Sequence, residues 1–230
     1  MEILLGINSS PDADWRKNIE RLGELGIKKV GVFPTYLERE ERFLMYEMLK
    51  DAGVEVPFVH LRHDLDLEEI EYLKKELHTK VFNIHLIDEL IEKLMAMDSK
   101  IRKNIYIENG DHDEPKYFDN LKDFGGICLD LTHYVDHSVI QKEKTYEQFA
   151  NELSKHKIGI IHISAISDTL LEESSGWKVY ERHQFDKLNQ LDYVKDCKEL
   201  LMRSEVVVLE LDNSIDEQIK ARKYIESLLK

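Results

Sequence analysis

Six apolar runs of this 230-residue chain end in histidine, aspartate or glutamate. They read Phe58-Val59-His60, Asn83-Ile84-His85, Tyr106-Ile107-Glu108, Cys128-Leu129-Asp130, Ile160-Ile161-His162 and Val208-Leu209-Glu210. These three residue types make up about a quarter of the chain, so composition alone does not supply so regular a series. Two further groupings carry ligand-type residues at useful spacing. One is Asp130-Leu131-Thr132-His133. The other is Glu181-Arg182-His183, where extended alternation points Glu181 and His183 the same way. Several partly desolvated carboxylates gathered at one place repel one another unless cations neutralise them, so a metal site is the natural resolution. Nitrogen and carboxylate donors suit zinc, manganese or iron better than calcium or magnesium, and the lack of cysteine ligands argues against a purely structural zinc site.

The elements that must position these residues follow from hydrophobic periodicity. Short apolar runs cover Ile3 to Ile7, Lys29 to Phe33, Pro57 to Leu61, Val81 to Leu86, Ile105 to Glu108, Ile127 to Leu131, Ile158 to Ser164 and Val206 to Leu211. Helical patterns lie between and after them, near 14–25, 38–52, 67–77, 88–98, 116–123, 145–155, 187–202 and 214–229. Strict alternation of this kind predicts an α/β fold, a single-domain (β/α)8 TIM barrel over residues 1–230, slightly shorter than the typical ~250 residues. Asp12 or Asp14, Asp66 and Ser214 are candidate N-caps, and Gly26 and Gly53 stand where helices end. The stretch from Ala165 to Gln184 is too long for a tight turn and reads as a loop that could wall the site. In a barrel of this type chemistry collects at the C-terminal strand ends, where the six endings fall.

Composition narrows the function further. The formal net charge is −14, which gives no long-range pull toward phosphate polymers or anionic lipid. A nucleic-acid partner is therefore possible but not favoured, and a small-molecule or phosphate-ester substrate fits better. No apolar run approaches the ~18 residues of a membrane span, and the start Met1-Glu2-Ile3 does not look like a signal peptide, so a cytoplasmic protein without a membrane partner is expected. Cys128 and Cys197 are far apart and lack CxxC spacing, so both read as reduced structural thiols. No GxSxG, GxGxxG or Walker-type loop is present, which disfavours serine hydrolases, dinucleotide enzymes and nucleoside triphosphatases.

In order, His60, His85, Glu108-Asn109, the segment Gly126 to His133, His162, Glu181-Arg182-His183 and Glu210 resemble the xylose isomerase-like barrel superfamily. Within it they look most like the apurinic/apyrimidinic endonucleases of the endonuclease IV type, which hold three zinc ions. The resemblance runs from about residue 57 to 211. It implies that Glu108 bridges two ions, with His60 and His85 completing one site. Asp130, His162 and Glu210 then hold a second ion, and His133, Glu181 and His183 a third. Glu181 stands where the family has aspartate, one methylene shorter. His63 lies three residues after His60, and either could face the metal.

The expected activity is metal-assisted hydrolysis of a phosphodiester or phosphate ester at a di- or trinuclear centre, with two or three zinc ions per chain, manganese or iron being alternatives. Glu108 and Glu210 are the candidate catalytic residues. Arg62, His63, Trp177 and Arg182 are candidates for substrate binding. Asn109-Gly110-Asp111 reads first as a turn, with His112 and Asp113 as loop residues. The runner-up is a divalent-metal sugar isomerase or epimerase, in which two glutamates move a proton between adjacent carbons. A barrel that binds a ligand without chemistry is a third reading.

Overall fold

The computed structural model describes residues 2–109, 117–172 and 178–230. Parallel strands β1 (Ile3–Asn8), β2 (Lys29–Phe33), β3 (Glu55–His60), β4 (Val81–Ile84), β5 (Ile105–Glu108), β6 (Gly126–Asp130) and β7 (Ile158–Ile163) are joined by β10 (Val206–Leu209) in a closed barrel of order β1-β10-β7-β6-β5-β4-β3-β2. The expected single-domain (β/α)8 barrel is what the chain forms. Helices α1 (Trp15–Leu25), α2 (Arg39–Asp51), α3 (Leu67–Glu76), α4 (Asp88–Met95), α5 (Ser99–Arg102), α6 (Tyr117–Leu121), α7 (Leu131–Val135), α8 (Lys144–Leu153), α9 (Lys198–Leu201) and α10 (Ile215–Leu228) lie between and after the strands.

Local chemistry sets the boundaries. Asp14, rather than Asp12, caps α1 by accepting from the Lys17 N–H at 3.2 Å, and Asp66 caps α3 through the Glu69 N–H at 2.8 Å. Ser214 and Glu217 form a capping box at the start of α10. Gly26 ends α1 in the left-handed region at φ 66°, a conformation that costs glycine nothing.

The strand period of two explains both the core and the site. Side chains two apart share a face, so the residue two before a ligand on a strand sits one layer below it. Leu4, Phe33, Phe58, Tyr106, Cys128, Ile160 and Val208 fill the barrel interior as one buried cluster. Two positions on from five of these come His60, Glu108, Asp130, His162 and Glu210. The apolar plug is thus a floor, and the next layer up is polar. A larger apolar layer outside the barrel joins the outward strand residues to helix positions such as Leu22, Met45, Tyr46, Leu49, Ile70 and Leu73.

Three segments depart from the sequence expectation. The stretch after β7 is an antiparallel hairpin, β8 (Ala165–Glu172) with β9 (Lys178–Arg182), instead of an irregular loop. Only Ala165 and Ser167 of β8 and Val179 of β9 are buried, so the hairpin carries no clear period-two pattern for the sequence to show. After α7 the chain continues into a π-helical turn at Asp136–Ile140, where no helix was expected. The predicted helix 187–202 begins as a 3-10 helix, Leu188–Cys197, and becomes α-helical only in α9. Among the described residues no helix is long and apolar enough to cross a membrane.

Candidate metal centre

Each candidate ligand of the barrel is carried to the mouth by its strand end. His60 closes β3, Glu108 closes β5, Asp130 closes β6 and His162 lies in β7, while His85 and Glu210 stand just beyond β4 and β10. His60, Glu108, Asp130, His162 and Glu210 are all buried, whereas the His85 side chain is about half exposed. Ligand-type atoms of Glu108, Asp130, His162 and Glu210 lie within 4.8 Å of one another, and so do those of His60, His85 and Glu108. Glu108 belongs to both sets. Its Oε2 is 3.0 Å from His60 Nε2, and its Oε1 is 3.8 Å from both His85 Nε2 and His162 Nδ1.

His133, Glu181 and His183 form a third group beside the first two. Glu181 Oε2 lies 3.1 Å from His133 Nδ1, and its Oε1 lies 3.3 Å from His183 Nε2. Ser164 Oγ donates to Oε1 at 3.2 Å. The hairpin supplies Glu181 from β9 and His183 from just beyond it, while α7 supplies His133. The extra methylene of Glu181 is therefore accommodated, because its carboxylate spans both histidines.

The charge state of the mouth is unbalanced without cations. Burial and the neighbouring Glu181, Glu210 and Glu108 carboxylates push Asp130 well above the usual aspartate range. Burial works against ionisation of Glu108 too, but His85, His162 and His60 hold it well below the usual range. Burial opposes protonation of His183, yet Glu210, Glu181 and Asp130 raise it well above the ordinary histidine value. Against burial, histidines also hold Glu181 and Glu210 below the usual range, so Asp130 is the carboxylate left without a counter-charge, the condition that a bound cation relieves.

Orphaned atoms point the same way. His162 Nδ1 and Glu210 Oε2 face each other at 3.1 Å, and neither makes a hydrogen bond among the described residues. His133 Nε2 is likewise buried without a partner. The nitrogen and oxygen donor set formed by Glu108, Asp130, His162 and Glu210 fits a transition-metal dication. His60, His85 and Glu108 would hold one ion and Glu108, Asp130, His162 and Glu210 another, while His133, Glu181 and His183, the set the resemblance implies for a third, meet pairwise through Glu181. Cys128 Sγ lies 3.2 Å from His162 Nε2, below the site. Burial and the nearby carboxylates push its thiol up, so it remains a thiol. Both cysteines are buried and free.

Supporting residues hold these groups in place. Asn83 in β4 donates from Nδ2 to Glu108 Oε2. Asn109 brackets the Asp130 backbone, its Oδ1 accepting from the Asp130 N–H at 2.6 Å and its Nδ2 donating to the Asp130 carbonyl at 3.3 Å. Asp130 Oδ1 also accepts from the His133 N–H at 2.8 Å, so this ligand doubles as the N-cap of α7. Thr132 Oγ1 accepts from the Ser164 N–H and lies 2.6 Å from the Tyr193 hydroxyl. Reading Asn109 as a turn residue missed its role. Its signal was its position directly after a strand-end ligand.

The candidates for substrate binding separate. A cavity of about 460 Å³ opens over the ligands and is lined by Ser10, Asp12, Tyr36, His85, Glu108, Asp130, His133, Glu181, Arg182, His183, Glu210 and Asp212, with Pro11 and Gln184. Arg182 is on this wall, with its Nη1 2.8 Å from Asp186 Oδ2. Arg62 is outside it, donating to the Leu37 carbonyl at 2.6 Å and pairing with Glu38 at 2.8 Å. His60 is the buried histidine of its pair, and His63 is exposed and outside the cavity lining. Trp177, Gly110, Asp111, His112 and Asp113 lie outside the described residues.

No family model and no curated protein matches the chain. Solved structures do. A xylose isomerase domain protein from Planctomyces limnophilus aligns at a TM-score of 0.52 and 12% identity, over 98% of this chain and 96% of that one. A protein from Bacillus anthracis, described as the probable 3-DHS dehydratase AsbF involved in petrobactin synthesis, aligns at a TM-score of 0.52 and 14% identity, over 100% of this chain and 99% of that one. The fold shared with these two structures is the single-domain (β/α)8 barrel. A xylose isomerase-like barrel protein from Mycobacterium smegmatis, solved in complex with magnesium, aligns at 0.49 and 13% identity over 99% and 97% of the two chains.

Proposed function

We propose that this protein is a metal-dependent enzyme that hydrolyses a phosphate ester or phosphodiester at a multinuclear centre. The observation that carries the reading is the junction of ligand sets at Glu108, whose two oxygens face His60 on one side and His85 and His162 on the other. A site for one ion has no use for the additional His60/His85 and His133/Glu181/His183 groups. When bound, zinc or a similar dication supplies an activated water at neutral pH and charge stabilisation for the phosphoryl oxygens. The chain's own contribution is placement. Asn83 orients Glu108, Asn109 and the N-cap bond orient Asp130, and Ser164 orients Glu181. The apolar floor beneath keeps bulk water from the barrel side of the ligands.

A second reading is supported by a specific observation. Glu108 and Glu210 both lie close to His162, at 3.8 and 3.1 Å, a pair of carboxylates able to take and return a proton on a sugar-like substrate. Under it the protein is an isomerase, epimerase or related proton-transfer enzyme, in keeping with the dehydratase description of the B. anthracis neighbour.

The deciding experiment counts ions per chain by elemental analysis after loading with zinc, manganese or iron, then assays bis(p-nitrophenyl) phosphate, abasic DNA and a sugar panel. Two or three ions with phosphoester turnover that Glu108→Gln cuts at least ~100-fold is the expected result. One ion with turnover of sugars supports the second reading instead. Normal phosphoester turnover by a folded Glu108→Gln protein overturns the role given to Glu108.

A further inference from the structure

Asp136 is fully buried, belongs to neither metal-ligand cluster of the barrel mouth and is not one of His133, Glu181 and His183. It opens the π-helical turn that follows α7, six residues after Asp130 and three after His133. Its Oδ2 accepts from the backbone N–H of Tyr180 at 2.6 Å and of Glu181 at 3.1 Å. Its Oδ1 accepts from Gln141 Nε2 at 2.9 Å, and the same nitrogen donates to the Lys178 carbonyl at 3.0 Å. One carboxylate and its amide neighbour therefore grip β9 at 178, 180 and 181. The hairpin is otherwise paired only to itself in the sheet topology.

Resting on the reading above that His133, Glu181 and His183 hold an ion, we propose that Asp136 is a positioning residue for that ion, setting the distance between α7 and the hairpin. His133 sits one turn before Asp136 on the same helical path, and Glu181 hangs from Asp136 by its own N–H. The carboxylate thereby fixes both halves of the group, which otherwise come from separate parts of the chain. A carboxylate is required here. Three N–H donors converge on it, and an amide of the same shape must turn its own N–H2 toward one of them. The turn type agrees, because single π-helical turns are often found where a side chain must be re-aimed at a functional site.

The competing account is that Asp136 merely staples the hairpin and matters only for stability. Ion-specific binding separates the two. The zinc-loaded full chain is equilibrated in buffers of stepped free zinc, and ions per chain are counted for the wild type, Asp136→Asn, Gln141→Ala, His183→Ala and Tyr46→Phe. Tyr46→Phe removes a buried hydrogen bond to Glu69 away from the mouth and serves as the stability control. His183→Ala identifies the third ion by its loss. Asp136→Asn is expected to need about 10- to 100-fold more free zinc to fill that same ion, leaving the others unchanged. Gln141→Ala should shift it in the same direction by less, and Tyr46→Phe should lower the melting temperature without moving any ion.

Wild-type affinity for the third ion in folded Asp136→Asn, or parallel weakening of all the ions, overturns the proposal. If Asp136→Asn fails to fold, Gln141→Ala decides, and an unmoved third ion overturns it. An ion count that His183→Ala leaves unchanged refutes the metal reading of the group itself, a failure seen in a different variant.

Discussion

Asp130→Asn should make the metal-free protein more stable while weakening its response to metal. The Asp130 carboxylate lies within 4.8 Å of those of Glu108 and Glu210. At that separation and an effective dielectric of ~20, each like-charge pair costs about 3.5 kcal/mol. The histidines and uptake of a proton offset most of this, so the net gain on removing the charge is on the order of 1–2 kcal/mol. Asparagine keeps an acceptor for the His133 N–H, so the N-cap of α7 survives the change. For a chain of this size the gain corresponds to a rise of roughly 2–8 °C in melting temperature, read by scanning calorimetry in the presence of a chelator. The pH dependence has a definite sign. Asp130 is raised in the folded chain, so the wild type loses stability as pH rises from the ordinary aspartate value toward the folded one. Asparagine does not titrate, and the gap between the two proteins should widen over that window. With zinc the order reverses. A site filled at 100 times its dissociation constant stabilises by about 2.7 kcal/mol, which the wild type should gain and Asp130→Asn should largely forgo. A metal-free Asp130→Asn protein less stable than the wild type at pH 8, or an equal zinc-induced shift in both, would refute the reasoning.

Two further variants test the barrel scaffold away from the mouth. Arg42 is almost fully buried and bonded through Nε and Nη2 to Glu69, each at 2.7 Å, so Arg42→Met strands a buried carboxylate and should cost about 3–5 kcal/mol in urea unfolding. A loss under ~1 kcal/mol would show that the pair is solvated in solution. At Gly159 an added Cβ would come within 2.0 Å of the Tyr106 ring in the barrel floor, so Gly159→Ala should cost about 1–3 kcal/mol and Tyr106→Leu in the same chain should recover part of it. Full stability of the single variant would mean the floor repacks freely.

The barrel was legible because its strands are buried on both faces and its helices on one, which writes two distinct periods into the sequence. The gathering of polar residues at the strand ends was legible for a related reason: Tyr106 and Glu108, or Ile160 and His162, differ only by one step of the same period. What escaped was set by tertiary partners rather than local pattern. Asn109 looks like a turn former until Asp130 is brought opposite it by the β5–β6 register. Asp136 falls between the expected helices with no pattern to mark it, and its partners appear only when the hairpin folds over it. Arg62 next to His60 suggested a hand for an anion, but the strand end turns it back onto Leu37 and Glu38. The spacing Asp130, His133, Asp136 was a usable clue, since three-residue steps keep side chains on adjacent faces of a helix.

The charge of the mouth also restricts what can enter it. Asp12, Glu108, Asp130, Glu181, Glu210 and Asp212 line the cavity, and the one arginine among the described residues lining it, Arg182, is already paired with Asp186. Dications held there would reverse this field only nearby, because at physiological salt electrostatic influence fades over ~8 Å. A small phosphate ester that fits the 460 Å³ cavity lies wholly within that distance. A duplex extends beyond it across a chain of net charge −14. Added monovalent salt should therefore leave kcat/KM for a small ester flat or raise it by screening the rim, measured at constant free zinc between 50 and 300 mM potassium chloride, on the order of twofold. Nucleic-acid enzymes behave oppositely, since their phosphate contacts weaken steeply over such a range. A fall of tenfold or more in kcat/KM for abasic DNA, from a substantial low-salt value, would show that a cationic surface engages the backbone and that the charge argument fails.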